Sequence, residues 1–126
     1  MKILVVDDSA AIRVRIATLL RDIDGVCGVF EAADAARALE LSRSERPDFV
    51  ILDLNLVGQS GLEILPSLKA LLRAPVVLVL TNHSGEAYEH RCRQLGADHF
   101  FDKSKQFESA IDVVRSAVES RQPPMR

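Results

Sequence analysis

Short apolar runs alternate along the chain with longer segments in which apolar residues recur at helical spacing. In the first of these segments, Ile12, Ile16 and Leu19 lie three or four positions apart, as they do on one face of an amphipathic helix. The short runs are rich in Val and Ile, which favour buried strands. Five such runs occur, at Ile3–Val6, Val26–Phe30, Phe49–Leu52, Val76–Leu80 and His99–Phe101.

The order of these elements predicts an α/β fold. Strict alternation of five strands with five helices, with several strands apolar on both faces, is typical of a parallel sheet covered by helices on both sides. Right-handed crossovers make such a sheet doubly wound. Helix starts agree with this pattern, because capping residues precede four of the helical segments, at Ser9, Asp34, Ser60 and Ser84.

Length and charge narrow the class of protein. A chain of 126 residues fits one domain, and its 48% hydrophobic and 27% charged residues are ordinary for a folded chain. Sixteen basic against eighteen acidic residues leave a net charge of −2, which disfavours nucleic-acid binding. The apolar runs are too short to cross a membrane, and Asp7-Asp8 interrupts the first run too early for a signal peptide. We therefore expect a cytoplasmic protein.

Residues that could carry out chemistry follow directly after four of the predicted strands. Asp7-Asp8 follows the first strand, Asp53 the third, Thr81 the fourth and Asp102-Lys103 the fifth, and ligands of doubly wound sheets bind at this edge. Each residue alone has an ordinary explanation as a helix cap, a turn residue or a solvated surface residue. Together, crowded carboxylates favour either protonation of one group or a hard cation such as Mg²⁺ with phosphate oxygens.

A phosphate-handling site would use each of these residue types. A carboxylate at Asp53 can act as a nucleophile toward phosphorus and form an aspartyl phosphate. The loose transition state of phosphoryl transfer spreads charge over its equatorial oxygens, which a metal, an ammonium and a hydroxyl stabilise. Lys103 and Thr81 provide the ammonium and the hydroxyl.

Four segments carry a family resemblance: MKILVVDDSAAIR, PDFVILDLNLVGQSGLEIL, VVLVLTN and LGADHFFDKS. Taken together, they resemble the receiver domain of bacterial two-component response regulators over essentially the whole chain. The resemblance implies a flavodoxin-like (βα)5 fold with strand order 2-1-3-4-5. It also implies a receiver domain over residues 1–121, with residues 122–126 as a C-terminal tail or the start of a linker.

The resemblance also assigns roles to individual residues. Asp53 is then the phospho-acceptor, and Mg²⁺ or Mn²⁺ is held by Asp8, Asp7, Asp53 and the backbone carbonyl of Asn55. Thr81 and Lys103 then sense the phosphate, and Phe100 is the aromatic switch. Asn55 and His83 tune the rate of hydrolysis.

The implied activity is signal relay rather than enzymatic turnover. A sensor histidine kinase or a histidine phosphotransfer protein donates the phosphoryl group to Asp53, and autodephosphorylation later resets the switch. The surface formed by helix 4, strand 5 and helix 5 then changes and is read by an unknown downstream protein. We expect a monomer or a phosphorylation-dependent dimer, without direct contact to nucleic acid or membrane.

Two departures from the family pattern and three alternatives stay open at this point. Val57 and Ser104 stand where receivers commonly have proline, so the isomer of the Lys103–Ser104 bond is undetermined by the sequence.

The chain is alternatively a receiver fragment of a longer DNA-binding or enzymatic regulator. A haloacid-dehalogenase-type phosphohydrolase is disfavoured because Asn55 stands where that mechanism needs a second carboxylate. A flavodoxin-type carrier is disfavoured because Asp7-Asp8 would repel the flavin phosphate.

Overall fold

The computed structural model describes residues 1–56, 58–82 and 85–121 and shows a parallel sheet between two helical layers. Val57, His83, Ser84 and residues 122–126 lie outside the described residues, and the predicted domain boundary after residue 121 lies there too. The elements in chain order are β1 (Lys2–Val6), α1 (Ala10–Arg21), β2 (Gly28–Ala32), α2 (Ala35–Glu45), β3 (Phe49–Leu52), β4 (Asn55–Leu56), β5 (Gln59–Ser60), α3 (Gly61–Lys69), β6 (Val76–Thr81), α4 (Glu86–Gln94), β7 (His99–Asp102) and α5 (Phe107–Arg121).

The main sheet has five parallel strands in the order β2-β1-β3-β6-β7. β4 and β5 form a separate antiparallel pair in the loop after β3, so β6 and β7 are the fourth and fifth strands of the sequence prediction. The predicted order 2-1-3-4-5 is therefore confirmed.

Each face of the sheet has its own hydrophobic cluster, because successive strand residues point to opposite faces. On β1, Leu4 and Val6 belong to the cluster formed with α2, α3 and α4, whereas Ile3 and Val5 belong to the cluster formed with α1 and α5. All four of these side chains are buried. Helices thus cover both faces, as the apolar strands predict.

Three of the predicted helix caps are present. Ser9 Oγ accepts a hydrogen bond from Ile12 N at 3.4 Å, Asp34 Oδ1 from Arg37 N at 2.8 Å and Ser60 Oγ from Leu62 N at 3.2 Å. The fourth predicted cap, Ser84, lies outside the described residues, and the N-cap position of α4 is Gly85. Within the described residues, no helix is long and apolar enough to cross a membrane.

The second strand begins two residues later than the apolar run predicts. Lys2 of β1 pairs with Gly28, whereas Val26 donates its N–H to the carbonyl of Ile23 at 3.2 Å and is part of the turn after α1. The apolar side chain of Val26 packs against the core from this turn. A continuous apolar run therefore spans both the turn and the strand, and its composition does not mark the boundary between them.

Candidate functional site at the carboxyl edge of the sheet

Backbone hydrogen bonds continue beyond the strands and hold the predicted site residues at one edge. Asp7 N donates to Ala32 O at 3.1 Å, Asp53 N donates to Val6 O at 2.9 Å, and Lys103 N donates to Thr81 O at 2.9 Å. Each bond joins the end of one strand to its neighbour in the sheet. The sequence separation between these residues is large, yet the parallel register brings them together.

The three aspartates form an acidic cluster. Each of Asp7, Asp8 and Asp53 contributes a carboxylate oxygen, and these oxygens lie within 4.8 Å of one another. Asp7 and Asp53 are 2% and 4% exposed, whereas Asp8 is exposed. A hydrogen bond from Ser9 N to Asp7 Oδ1, at 2.8 Å, orients that carboxylate. The cluster is therefore buried on one side and open to solvent through Asp8.

Lys103 bridges the two buried carboxylates. Its Nζ lies 2.8 Å from Asp7 Oδ2 and 2.9 Å from Asp53 Oδ2, and its side chain is 9% exposed. Burial acts to lower the pKa of Lys103, but the hydrogen bonds and negative charges of Asp7 and Asp53 outweigh it, so the pKa lies above the usual lysine value. The lysine is thus held as a cation at Asp53.

The donor set fits a small divalent cation. Three carboxylates against one ammonium leave two negative charges in excess, and carboxylate oxygens are the ligands that Mg²⁺ prefers. Mg²⁺ also keeps several of its waters, and the exposed side of Asp8 gives them room. The residues present therefore match the predicted metal.

The loop after Asp53 is fixed by a close approach that the sequence analysis missed. Gly61 N donates to Leu54 O at 2.8 Å, and a Cβ at Gly61 would lie only 2.4 Å from the backbone oxygen of Asp53. Asn55 N donates to Asp53 Oδ1 at 3.2 Å. The position therefore requires glycine so that the loop can close over Asp53, and the Ser-Gly pair at the start of α3 was the available signal.

An arginine next to Asp7 was also missed. Arg13 Nη1 donates to the backbone carbonyl of Asp7 at 2.8 Å, and its Nε donates to Glu31 Oε1 at 3.1 Å. The Arg13 side chain is 17% exposed. It lies one helical turn after the cap residue Ser9, which is the spacing that returns a side chain to the start of α1. The arginine ties the acidic loop to β2.

Thr81 and Phe100 lie on the adjacent strands β6 and β7. Thr81 is fully buried at the end of β6. Phe100 is half-buried and packs against the cluster that includes α2, α3 and α4, whereas Phe101 packs against the cluster on the opposite face. This opposite orientation is the one that strand alternation predicts. Phe100 pairs with Val79, two residues before Thr81, and Val79 belongs to the same cluster as Phe100, so by strand alternation Thr81 and Phe100 share one face of the sheet.

The turn between β7 and α5 is built without a cis bond. None of the described peptide bonds is cis, so the Lys103–Ser104 bond is trans. Asp102 Oδ1 accepts hydrogen bonds from Ser104 N at 2.8 Å and Lys105 N at 3.0 Å. Ser104 Oγ lies 2.9 Å from Asn82 Oδ1, which links this turn to the loop after β6. The predicted tuning residue His83 lies in that same loop but outside the described residues.

Comparison with known proteins agrees with the site and the fold. The family model "Response regulator receiver domain" matches residues 3–115. The chain belongs to this family. It is 35% identical over 125 residues to "Sporulation initiation phosphotransferase F" of Bacillus subtilis, covering 97% of this chain and 94% of that protein. It is 38% identical over 117 residues to a "Putative transcriptional regulator" of Pseudomonas aeruginosa, covering 93% of this chain and 56% of that protein.

A solved structure shows the same architecture. The two-component response regulator of the LuxR family from Aurantimonas sp. SI85-9A1 superimposes with a TM-score of 0.84 at 30% identity, covering 96% of this receiver and 86% of that chain. The receiver spans little more than half the length of several curated relatives. Family membership sets aside the phosphohydrolase and flavin-carrier alternatives.

Proposed function

We propose that this receiver accepts a phosphoryl group on Asp53 in a metal-dependent reaction and relays the signal through its surface. The observation that carries the proposal is the contact of the Asp53 carboxylate with the Lys103 ammonium, at 2.9 Å, inside a cluster with Asp7 and Asp8. A nucleophile, a fixed cation and a set of hard oxygen ligands thus meet at one buried edge.

The acceptor oxygen is one of the two Asp53 carboxylate atoms. Oδ1 accepts the hydrogen bond from Asn55 N, and Oδ2 binds Lys103. In the transfer, an Asp53 oxygen forms a bond to phosphorus while the bond from phosphorus to the donor's imidazole nitrogen breaks, and the nitrogen keeps the electron pair. Asp7, Asp8, Asp53 and the Asn55 carbonyl would hold Mg²⁺ or Mn²⁺, which neutralises charge on the acceptor and the phosphoryl oxygens when bound.

The other site residues act on the phosphoryl oxygens. Lys103 exchanges its contact with the Asp53 carboxylate for a phosphoryl oxygen, because the phosphoryl group carries about −1.5 to −2 where the carboxylate carried a single negative charge. The Thr81 hydroxyl donates to a second oxygen. His83 and the side chain of Asn55 tune hydrolysis by controlling the attacking water.

The switch follows from the movement of Thr81 toward the phosphoryl group. This movement opens space behind β6, and Phe100 turns inward to fill it, which changes the surface of α4, β7 and α5. Phe100 is half-buried and already packs against the cluster of α2, α3 and α4, so an inward turn would increase its burial. We further propose that the donor is a sensor histidine kinase or a histidine phosphotransfer protein, that residues 1–121 form the receiver, and that it acts in the cytoplasm.

Intact-protein mass spectrometry tests the acceptor. Wild type is incubated with acetyl phosphate and Mg²⁺, alongside the variant Asp53→Asn and a sample with EDTA. We expect wild type to gain the mass of one phosphoryl group and both controls to gain none. Labelling of Asp53→Asn to the same extent as wild type would refute the assignment, and labelling in EDTA would refute the metal requirement.

The receiver is either a complete regulator or one domain of a longer regulator. The match to the Pseudomonas aeruginosa protein covers 56% of that protein, whereas the match to the Bacillus subtilis phosphotransferase covers 94%. A receiver of this type therefore acts either alone or joined to an output domain. Immunoblotting of the native protein from its own cells distinguishes the two, because a joined output domain raises the mass well above 13.9 kDa.

A further inference from the structure

A small apolar pocket lies at the end of the sheet opposite to Asp53. Pro47, which precedes β3, and Pro75, which precedes β6, line it together with Leu71 and Leu72. The cavity has a volume of about 180 Å³. Since an apolar cavity of about 150 Å³ is large enough to bind benzene, this pocket accommodates one leucine or phenylalanine side chain.

Leu72 is the most exposed large apolar side chain among the described residues. Its relative exposure is 102%, compared with 52% for Val14 and 43% for Tyr88. It stands at the rim of the pocket, in the turn between α3 and β6. Leu72 therefore extends the apolar part of the pocket lining out to the solvent.

Three arginines surround this apolar surface: Arg43, Arg46 and Arg73. Arg43 and Arg46 come from the end of α2, and Arg73 comes from the turn before β6. Within the described ranges, none of the three has an ion pair or a side-chain hydrogen bond. Neighbouring charged side chains at this end of the sheet are paired, as in Lys2–Glu45 and Lys69–Asp98.

Arg46 occupies a backbone conformation that favours another residue type. It is the C-cap of α2, with φ 50° and ψ 61° in the left-handed region, and it is the one non-glycine residue of the described chain with positive φ. Glycine or asparagine is usual at such helix ends because they avoid the steric cost. An arginine here therefore adds a cation to the rim at the expense of local stability.

We propose that this face, defined by Arg43, Arg46, Leu72 and Arg73, binds an acidic segment of a partner protein that carries one apolar anchor residue. The anchor fills the pocket beside Leu72, and the flanking carboxylates bind the arginine guanidinium groups, whose planar forks match carboxylate geometry. An apolar cavity between the cations favours a peptide over a nucleic-acid backbone, and the net charge of −2 adds no wider basic field. This surface goes beyond the proposed function, because it stands apart from the Asp53 site.

Solution NMR of the ¹⁵N-labelled receiver tests the proposal directly. The probes are four hexapeptides, each with two glutamates, then one anchor residue followed by a glycine, then two more glutamates. The anchor residue is leucine, isoleucine, phenylalanine or tryptophan. We expect at least one peptide to shift the backbone amides of Arg46, Leu72 and Arg73 in a saturable way. Arg73→Glu and Leu72→Ser should each weaken that binding at least tenfold.

Matched variants on other faces serve as controls. Val14→Ser removes an exposed apolar side chain from α1, and Arg91→Glu reverses an exposed arginine on α4. Both should bind the peptide as wild type does. Labelling of Leu72→Ser and Arg73→Glu by acetyl phosphate should be unchanged, so failure of peptide binding and failure of phosphorylation are separate results.

Several results would overturn the proposal. The first is the absence of saturable shifts at this face with all four peptides. The second is equal binding of peptides in which lysine replaces glutamate, or equal displacement by inorganic phosphate alone. A third is concentration-dependent shifts of the same amides without peptide, which would identify a second copy of the chain as the occupant.

Discussion

Replacement of the bridging lysine, Lys103→Met, isolates the electrostatics of the acidic cluster. The substitution keeps the length of the apolar stem and removes the ammonium that lies 2.8 Å from Asp7 and 2.9 Å from Asp53. The two carboxylates then face each other within 4.8 Å, without a cation between them. At an effective dielectric constant of about 20, two unit charges at that separation repel by about 3.5 kcal/mol. The loss of a buried partner charge typically costs about 3–5 kcal/mol.

We therefore expect the free energy of unfolding in EDTA at neutral pH to fall by about 3 kcal/mol in Lys103→Met. Saturating Mg²⁺ should stabilise the variant more than wild type, because the ammonium no longer competes for the carboxylates. Binding at 100 times the Kd corresponds to about 2.7 kcal/mol. Urea unfolding with and without Mg²⁺ measures both quantities.

The exposed neighbour Lys105 provides the matched control, since Lys105→Met removes a lysine from the same turn without removing an ion pair of the cluster. This control should stay within about 0.5 kcal/mol of wild type. A loss below about 1 kcal/mol in Lys103→Met, or an equal response of both lysine variants to Mg²⁺, would contradict the electrostatic reasoning.

Further expectations concern the same edge of the sheet. Asp8→Asn should stabilise the metal-free protein by up to about 1 kcal/mol, because it relieves repulsion between carboxylates at an exposed position, and it should weaken Mg²⁺ binding. Urea unfolding and metal titration measure these two changes. A loss of stability in the metal-free variant would contradict the expectation. Gly61→Ala should lower the free energy of unfolding by about 1–3 kcal/mol and slow acetyl phosphate labelling, whereas wild-type stability would disprove the need for close approach to Asp53. The pKa of Lys103 is raised in the folded protein, so the contribution of Lys103 to the free energy of unfolding is complete below the usual lysine value of 10.5 and is lost as the pH rises beyond it. Wild type should therefore lose more stability in that pH range than Lys103→Met. Parallel losses of stability in the two proteins would argue against the bridge. Thr81→Ala should still be labelled on the acceptor but should leave the Phe100 ring resonances unchanged on phosphorylation, and a wild-type change in those resonances would rule out the coupling.

The fold and the main site residues were predictable because they depend on local patterns. Apolar runs mark strands, and the polar residue that follows each run must lie at the carboxyl edge of a parallel sheet. Asp7, Asp53 and Lys103 were therefore expected to lie together even before the register of the strands was known. Their contacts in the structure agree with that placement.

The remaining details depend on distances between backbones, which a sequence pattern does not encode. The need for Gly61 follows from a 2.4 Å approach to the Asp53 carbonyl. The contact of Arg13 with the Asp7 carbonyl depends on how α1 leans over β2. The late start of β2 depends on its pairing with Lys2, because Val26 in the preceding turn is as apolar as a strand residue.

The two hydrophobic clusters divide the buried side chains of the molecule into two separate sets, one on each face of the sheet. Their buried members are different residues on opposite faces of the sheet, so substitutions on opposite faces should have additive effects on stability. Phe100 packs against the cluster formed with α2, α3 and α4, on the face of the sheet opposite to α1. A substitution in one cluster can therefore change the surface on its own side of the sheet while the buried side chains of the other cluster keep their identity and face.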